Sequence, residues 1–195
     1  MSKPQQLIST AFALFYQQGI HATGINQILE QAGVAKKTLY HHFPGKDDLL
    51  LAVLAYRDEV FSGWLLGRLD DAASLTELCR AWFGALDDWF NGRADDLLAF
   101  RGCFFVNTSA EYSDPQHPVQ QACRAHKQGL EMALAERIAM RLEKISQEGK
   151  TDAQQLAHEW CLLKEGAIAS AAVGGNLAAA NDALTLALRH PLLNR

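Results

Sequence analysis

Apolar positions recur at helical spacing along almost the whole chain. Leu7, Ile8, Ala11, Phe12, Leu14 and Phe15 follow the i, i+3, i+4, i+7 rule, placing one apolar stripe on a first helix that Gly19 ends. Thr23 is positioned to cap a second short helix, which turns Ile25, Ile28, Leu29 and Ala32 inward and closes at Gly33. A third helix spans about 35–43, where Leu39 and Phe43 are i, i+4 neighbours, and Pro44-Gly45 breaks it. Lys46-Asp47-Asp48 then opens a long apolar helix, and the two acids suit the positive end of its dipole. Further helices are predicted at about 74–91, 97–111, 117–148, 153–174 and 176–189. The breaks between them fall at Asn91-Gly92, Ser113-Asp114-Pro115, Gly149-Lys150 and Gly174-Gly175. No run alternates with period two between hairpin turns. The predicted class is all-α, with a three-helix unit at 1–46 followed by a larger helical body at 47–195.

Composition narrows the class of protein without naming a function. With 195 residues, 49% apolar and 21% charged, the chain can bury a sizeable core, which excludes a disordered segment or a disulfide miniprotein. The uncharged, Ala-rich stretch Gly166 to Asn181 is diluted with Gly, Ser and Asn and falls short of the roughly 18 apolar residues of a membrane span. The start shows no basic cluster followed by an apolar core, so a cytoplasmic protein is expected. Cys79, Cys103, Cys123 and Cys161 contain no CxxC pair and are then expected as reduced thiols.

The net charge of −4 and the pI near 5.9 argue on their face against a polyanionic partner. By segment the picture changes. Residues 1–46 carry four lysines against Glu30 alone, a net of +3, whereas residues 47–112 sum to −7 and residues 113–195 to zero. A small basic module on an acidic or neutral body fits these numbers, and the local pattern has to test it.

That pattern is Thr23…Gln27…Ala32-Gly33-Val34…Thr38-Leu39-Tyr40-His41-His42-Phe43, which has the form of a helix-turn-helix. Two short helices meet at a tight turn, and both point apolar residues at a supporting first helix. The third helix of such a unit enters the major groove, so its outward positions should be hydrogen-bond donors and aromatics. Lys36, Lys37, Thr38, Tyr40 and His41 fill those positions while Leu39 and Phe43 anchor the helix. Thr23 and Lys46 stand where phosphates are met. From spacing alone, an ordinary solvated face with a surface aromatic explains the same residues equally well.

The string Gly33-Val34-Ala35-Lys36-Lys37-Thr38-Leu39-Tyr40-His41-His42-Phe43-Pro44-Gly45-Lys46-Asp47-Asp48-Leu49, with the lead-in from Gly19 to Ile28, resembles the signature of the TetR family of transcriptional regulators. The resemblance covers about 45 contiguous residues. It implies a dimer that binds a palindromic double-stranded operator, usually as a repressor, and releases it when a small molecule enters the C-terminal domain. Carried over by position, it implies DNA contacts from Thr23, Lys36, Thr38, Tyr40, His41 and Lys46. Two residues depart from the usual pattern. Lys37 stands where glycine or alanine is common and adds a candidate phosphate contact. Ala35 replaces the usual serine and cannot cap the third helix through a hydroxyl, which weakens that helix start by about 1 kcal/mol.

In the body, Cys103, Asn107 and Glu111 fall at i, i+4 and i+8, a polar stripe on an otherwise apolar segment. Turned inward, that stripe would supply polar groups to an effector cavity walled by aromatics such as Trp82, Trp89 and Phe104, with Cys123 and His126 opposite. The alternative is plain core, with Asn107 and Glu111 satisfying a buried network. Cys103 follows Gly102 beside Arg101 at a helix start, where dipole and cation favour a thiolate. The surrounding segment is also similar to that of N-ethylmaleimide-responsive repressors, which implies an electrophile- or redox-sensing alternative through Cys103. Residues of about 153–189 are rich in Ala, Gly and Leu, suiting close helix packing, and the resemblance implies a homodimer through them. No HExxH, GxSxG, P-loop or GxGxxG occurs, and the histidines outside the third helix form no i, i+4 pair. No enzyme activity, cofactor or metal is expected, and a helical protein-interaction adaptor is the alternative outside the regulator class.

Overall fold

A computed structural model describes residues 2–142 and 149–194. Nine helices and no strand appear among them: α1 (Lys3–Gln18), α2 (Ile25–Ala32), α3 (Lys36–His42), α4 (Lys46–Gly67), α5 (Leu75–Phe90), α6 (Phe104–Glu111), α7 (Pro118–Leu142), α8 (Gly149–Gly174) and α9 (Ala179–Ala187). A 3₁₀ turn follows at Pro191–Asn194. The fold is all-α as the apolar periodicity requires. The predicted extension of the seventh helix over 143–148 lies outside the described residues.

One helix is shorter than its pattern implies. The expected helix at 97–111 begins only at Phe104, because Gly102 takes φ +86°, a backbone conformation that no right-handed helix can continue through. Ahead of it, residues 92–103 form turns and extended chain.

The chain forms two compact units, one joining Met1–Val60 to Cys103–His126 and the other joining Phe61–Gly102 to Lys127–Arg195. The units thus divide within α4 and within α7. The reason in the first unit is aromatic packing. Phe104 of α6 meets Phe12 and Tyr16 of α1 edge-on at ring-centroid distances of 5.2 and 6.1 Å, and Phe12 meets Tyr56 of α4 at 6.2 Å. Together with fully buried Leu7, Ile28 and Leu39, these rings make one core from α1–α3, the start of α4 and α6.

The second unit is built around α5. Its start carries a reciprocal cap: the Ser74 hydroxyl accepts from the Glu77 N–H at 3.1 Å, and the Glu77 carboxylate accepts from the Ser74 N–H at 3.2 Å. The helix buries Trp82, Phe83, Leu86, Trp89 and Phe90. Phe83 meets Trp160 of α8 at 6.2 Å, and α9 packs on both α5 and α8 through Ala179, Ala180, Ala183 and Ala187. Small side chains on that face let the backbones come close.

Leu39 fixes the short helix α3 to its core and has no exposed surface. Replacing it with Ala is expected to lower stability by about 2–4 kcal/mol. A urea titration followed by circular dichroism measures this as a lower midpoint.

Candidate nucleic-acid interface

The turn between α2 and α3 is made by Gly33, whose φ of +61° favours glycine. Its N–H bonds back to Glu30 and the Val34 N–H to Leu29 at 3.1 Å, which closes α2 and redirects the chain into α3. Ala35 is the N-cap of α3 and provides no side-chain hydrogen bond, as its methyl group dictates. The Ala35 carbonyl still accepts from the N–H groups of Thr38 and Leu39, so the first turn forms.

Around buried Leu39 the side chains of α3 point away from the core. Lys36, Lys37, Tyr40, His41 and His42 are exposed, and Thr38 is half-buried. Tyr40 shows 47% of its surface to solvent, and the Lys36 ammonium lies 6.0 Å from its ring centroid. A cation beside a phenol hydroxyl, flanked by a second lysine and an imidazole, presents donors at the pitch of one helix face. That is the chemistry of a surface that meets phosphates and base edges.

Two expected contact residues are placed otherwise. Thr23 is fully buried, and its hydroxyl donates to the Gly19 carbonyl at 2.7 Å, so it neither caps α2 nor faces outward. Gly24 is the N-cap of α2 instead. The physical cause is the tight turn from α1, in which the threonine hydroxyl satisfies a carbonyl left over at the helix end. Lys46 is half-buried and donates to the Ile20 carbonyl at 2.5 Å, with burial lowering its pKa. Both residues shape the turn that carries α2.

The same turn is gripped from α6. The Glu111 carboxylate accepts from the Ile20 N–H at 2.7 Å and the His21 N–H at 2.6 Å, and it pairs with His21 Nδ1 at 2.8 Å. Beside it, the Tyr112 hydroxyl donates to Asp47 Oδ1 at 2.8 Å. Burial alone would push the Glu111 carboxyl up, but the two backbone N–H groups and His21 hold it below the ordinary glutamate value. The polar stripe makes Glu111 an expected cavity wall. In the fold it is instead the anion that satisfies the backbone of the α1–α2 turn, a role that spacing within α6 cannot reveal.

The other expected wall residues lie on several elements. Asn107 is exposed, which rules out an inward polar stripe, because Phe104, Phe105 and Thr108 occupy the buried face of α6. Phe104 belongs to the aromatic core described above. His126 is buried, with Nδ1 2.6 Å from Asp58 Oδ1 and its ring stacked on Phe105 at 3.6 Å. Cys103 is the buried N-cap of α6 and Cys123 is buried on α7, both in the first unit, whereas Trp82 and Trp89 belong to the second. Arg101, the expected cation beside Cys103, is exposed. Arg57 of α4 is 3% exposed, and burial lowers its pKa against the opposing pull of Tyr16 and Cys103. No disulfide joins Cys79, Cys103, Cys123 or Cys161, and burial pushes Cys79 up to about 12.

Residues 7–53 match the family model described as bacterial regulatory proteins, tetR family, and residues 75–187 match the tetracyclin repressor-like C-terminal domain. A TetR-family transcriptional regulator of known structure from Streptomyces coelicolor is 30% identical, with 96% of this chain and 97% of that one covered and a TM-score of 0.75. The reduced form of Escherichia coli NemR, 21% identical over 95% of both chains, shares the fold with a TM-score of 0.75. The HTH-type transcriptional repressor KstR2 of Mycolicibacterium smegmatis is 37% identical over 44% of each chain. Matches to the first curated relatives span 39%, 62% and 44% of their lengths.

Glu111→Gln is expected to destabilise the protein by about 1–3 kcal/mol near pH 7, since an amide cannot accept both backbone N–H groups as an anion does. Because the native carboxyl titrates below its unfolded value, its contribution is complete above that unfolded value, about 4.3, and fades as pH falls through the lower native one. Urea midpoints of the two proteins should therefore converge on acidification. A difference that is constant with pH would contradict the role of the charge.

Proposed function

Since this chain belongs to the TetR family of bacterial regulatory proteins, we propose that it binds a palindromic operator as a homodimer, represses transcription there, and is released by a small molecule bound within its C-terminal domain. The observation that carries the DNA reading is the exposed Lys36, Lys37, Tyr40 and His41 face of a helix held in place by buried Leu39. Lys36 and Lys37 reach phosphates, and Tyr40, Thr38 and His41 approach the major groove. Thr23 and Lys46 act by positioning the α1–α2 turn. Repression needs only that the bound protein occlude a promoter.

A reading head that meets two half-sites about 34 Å apart needs a partner copy. The α8–α9 region supplies an apolar surface for one: Val173 is 90% exposed, Leu162 59% and Leu186 50%. Unpartnered leucine and valine on two adjacent helices fit a four-helix pairing of two copies. Size-exclusion chromatography with light scattering is expected to give twice the mass of one chain.

A second reading, release by an electrophile or oxidant at Cys103, is favoured by one observation. Cys103 stands as the N-cap of α6, where the first-turn N–H groups and the helix dipole face it. Unchanged operator affinity after alkylation of Cys103 would remove this reading.

Fragments of genomic DNA selected by the pure protein supply the operator for the central test. On it, Tyr40→Ala is expected to abolish the specific shift in a gel assay. Lys37→Ala should weaken binding modestly and reduce the slope of log affinity against log salt by about 0.9 for each phosphate no longer neutralised. Full-affinity binding by the Tyr40→Ala protein would overturn the assignment of that residue.

A further inference from the structure

The chain has seven histidines, and five of them lie against a carboxylate. In the first unit, His21 Nδ1 is 2.8 Å from Glu111, His117 Nε2 3.5 Å from Asp47 and His126 Nδ1 2.6 Å from Asp58. In the second, His158 Nδ1 is 3.2 Å from Glu131 and His190 Nε2 3.6 Å from Glu159. The other two, His41 and His42, are adjacent residues in the last turn of α3. Among the described residues neither pairs with an acid. Both are exposed, and their rings meet edge-on at a centroid distance of 4.9 Å.

The elements around the pair supply no counter-charge. Neither α1 nor α3 contains Asp or Glu. The one acid of α2 is Glu30, exposed in its last turn, and α4 opens with Lys46, Asp47 and Asp48. Lys46 is committed to the Ile20 carbonyl, and Asp47 to the Tyr112 hydroxyl and His117. Glu30 and the exposed Asp48 pair with neither imidazole. On α3 itself the i, i+4 spacing sets Lys37 beside His41 and Thr38 beside His42. A proton on either ring would therefore add to a face that already gathers cations and donors.

We propose that His41 and His42 both meet the operator as imidazoliums, so that operator binding takes up protons. Phosphates then fill the place that the five carboxylates fill elsewhere in the fold. A neutral imidazole has one donor and one acceptor, whereas an imidazolium donates from both nitrogens and carries a charge. Duplex DNA presents one negative charge per about 1.7 Å of its axis, and an opposite charge within about 4–6 Å favours the charged form of a titratable group. The complex thus holds a proton at a pH where the free ring has released it, and affinity rises as pH falls through the histidine range. The inference rests on the operator reading above and adds His42 to its contact face.

The test follows the full-length protein on a labelled operator duplex, chosen from the selected genomic fragments, by fluorescence anisotropy at fixed salt between pH 8 and pH 6. Affinity should rise about tenfold on acidification, and the slope of log affinity against log salt should steepen by about 0.9 for each imidazolium that neutralises a phosphate. His41→Gln combined with His42→Gln should flatten the pH profile, whereas His158→Gln, a histidine of the second unit, should retain it. His41→Arg combined with His42→Arg keeps both charges at every pH and should hold affinity near its acid value throughout. Circular dichroism establishes that each variant is folded, and the arginine pair decides the matter if the glutamine pair no longer binds. Binding of the unaltered protein that does not change with pH, or an undiminished pH profile in either folded double variant, would overturn the inference and leave the operator reading standing. Absence of operator binding at every pH would overturn that reading and the inference with it.

Discussion

The geometry of the reading head depends on one carboxylate far away in sequence. Gly19, Ile20 and His21 end α1 and lead into α2, and such a turn leaves backbone N–H groups without helical partners. Glu111 accepts two of them and adds His21 Nδ1. Thr23 satisfies the Gly19 carbonyl and Lys46 the Ile20 carbonyl, so donors and acceptors of the turn are met from both sides. The glycine matters here as well. Gly19 has φ +91°, and a Cβ at that position would lie 3.4 Å from the Glu111 carboxylate. The angle at which α2 and α3 leave α1 is therefore set partly by α6.

This arrangement explains why the compact unit around the helix-turn-helix is larger than its motif. Hydrogen bonds from Glu111 and the Tyr112–Asp47 contact hold the polar edge of α6. Phe104 anchors its apolar edge between Phe12 and Tyr16. A three-helix module of some 46 residues has limited apolar area to bury, and the aromatic contribution from α6 enlarges that core. A change in the position of α6 would be felt directly at the turn, because backbone hydrogen bonds to a carboxylate weaken steeply with distance and angle.

Charge is used differently in the two units. On α3 the cations stand in solvent, where they attract a polyanion at low cost and respond to salt. Around Arg57 and Lys164 they are buried, where each must be compensated locally. The whole-chain charge of −4 averages over both uses and describes neither.

The all-helical class, the order of the helices, the turn at Gly33 and the outward Lys36, Lys37, Tyr40 and His41 are legible in the order of residues. Those properties follow from periodicity, from the conformational range of glycine, and from which side of a short helix carries its apolar anchor. Where Thr23, Asn107 and Glu111 act is a matter of packing instead. A threonine before a helix reads as a cap until a carbonyl at the end of the previous helix takes its hydroxyl. A polar i, i+4, i+8 stripe reads as a cavity lining until Phe104, Phe105 and Thr108 take the buried face. The pairing of Glu111 with Ile20 and His21 joins residues about 90 positions apart. No local spacing encodes it, since it arises only when packing brings a lone carboxylate to unsatisfied backbone donors. Lys164 is the same lesson from the other side: its place in the apolar period of α8 is written in the chain, and only the fold reveals a buried charge paired with Glu165.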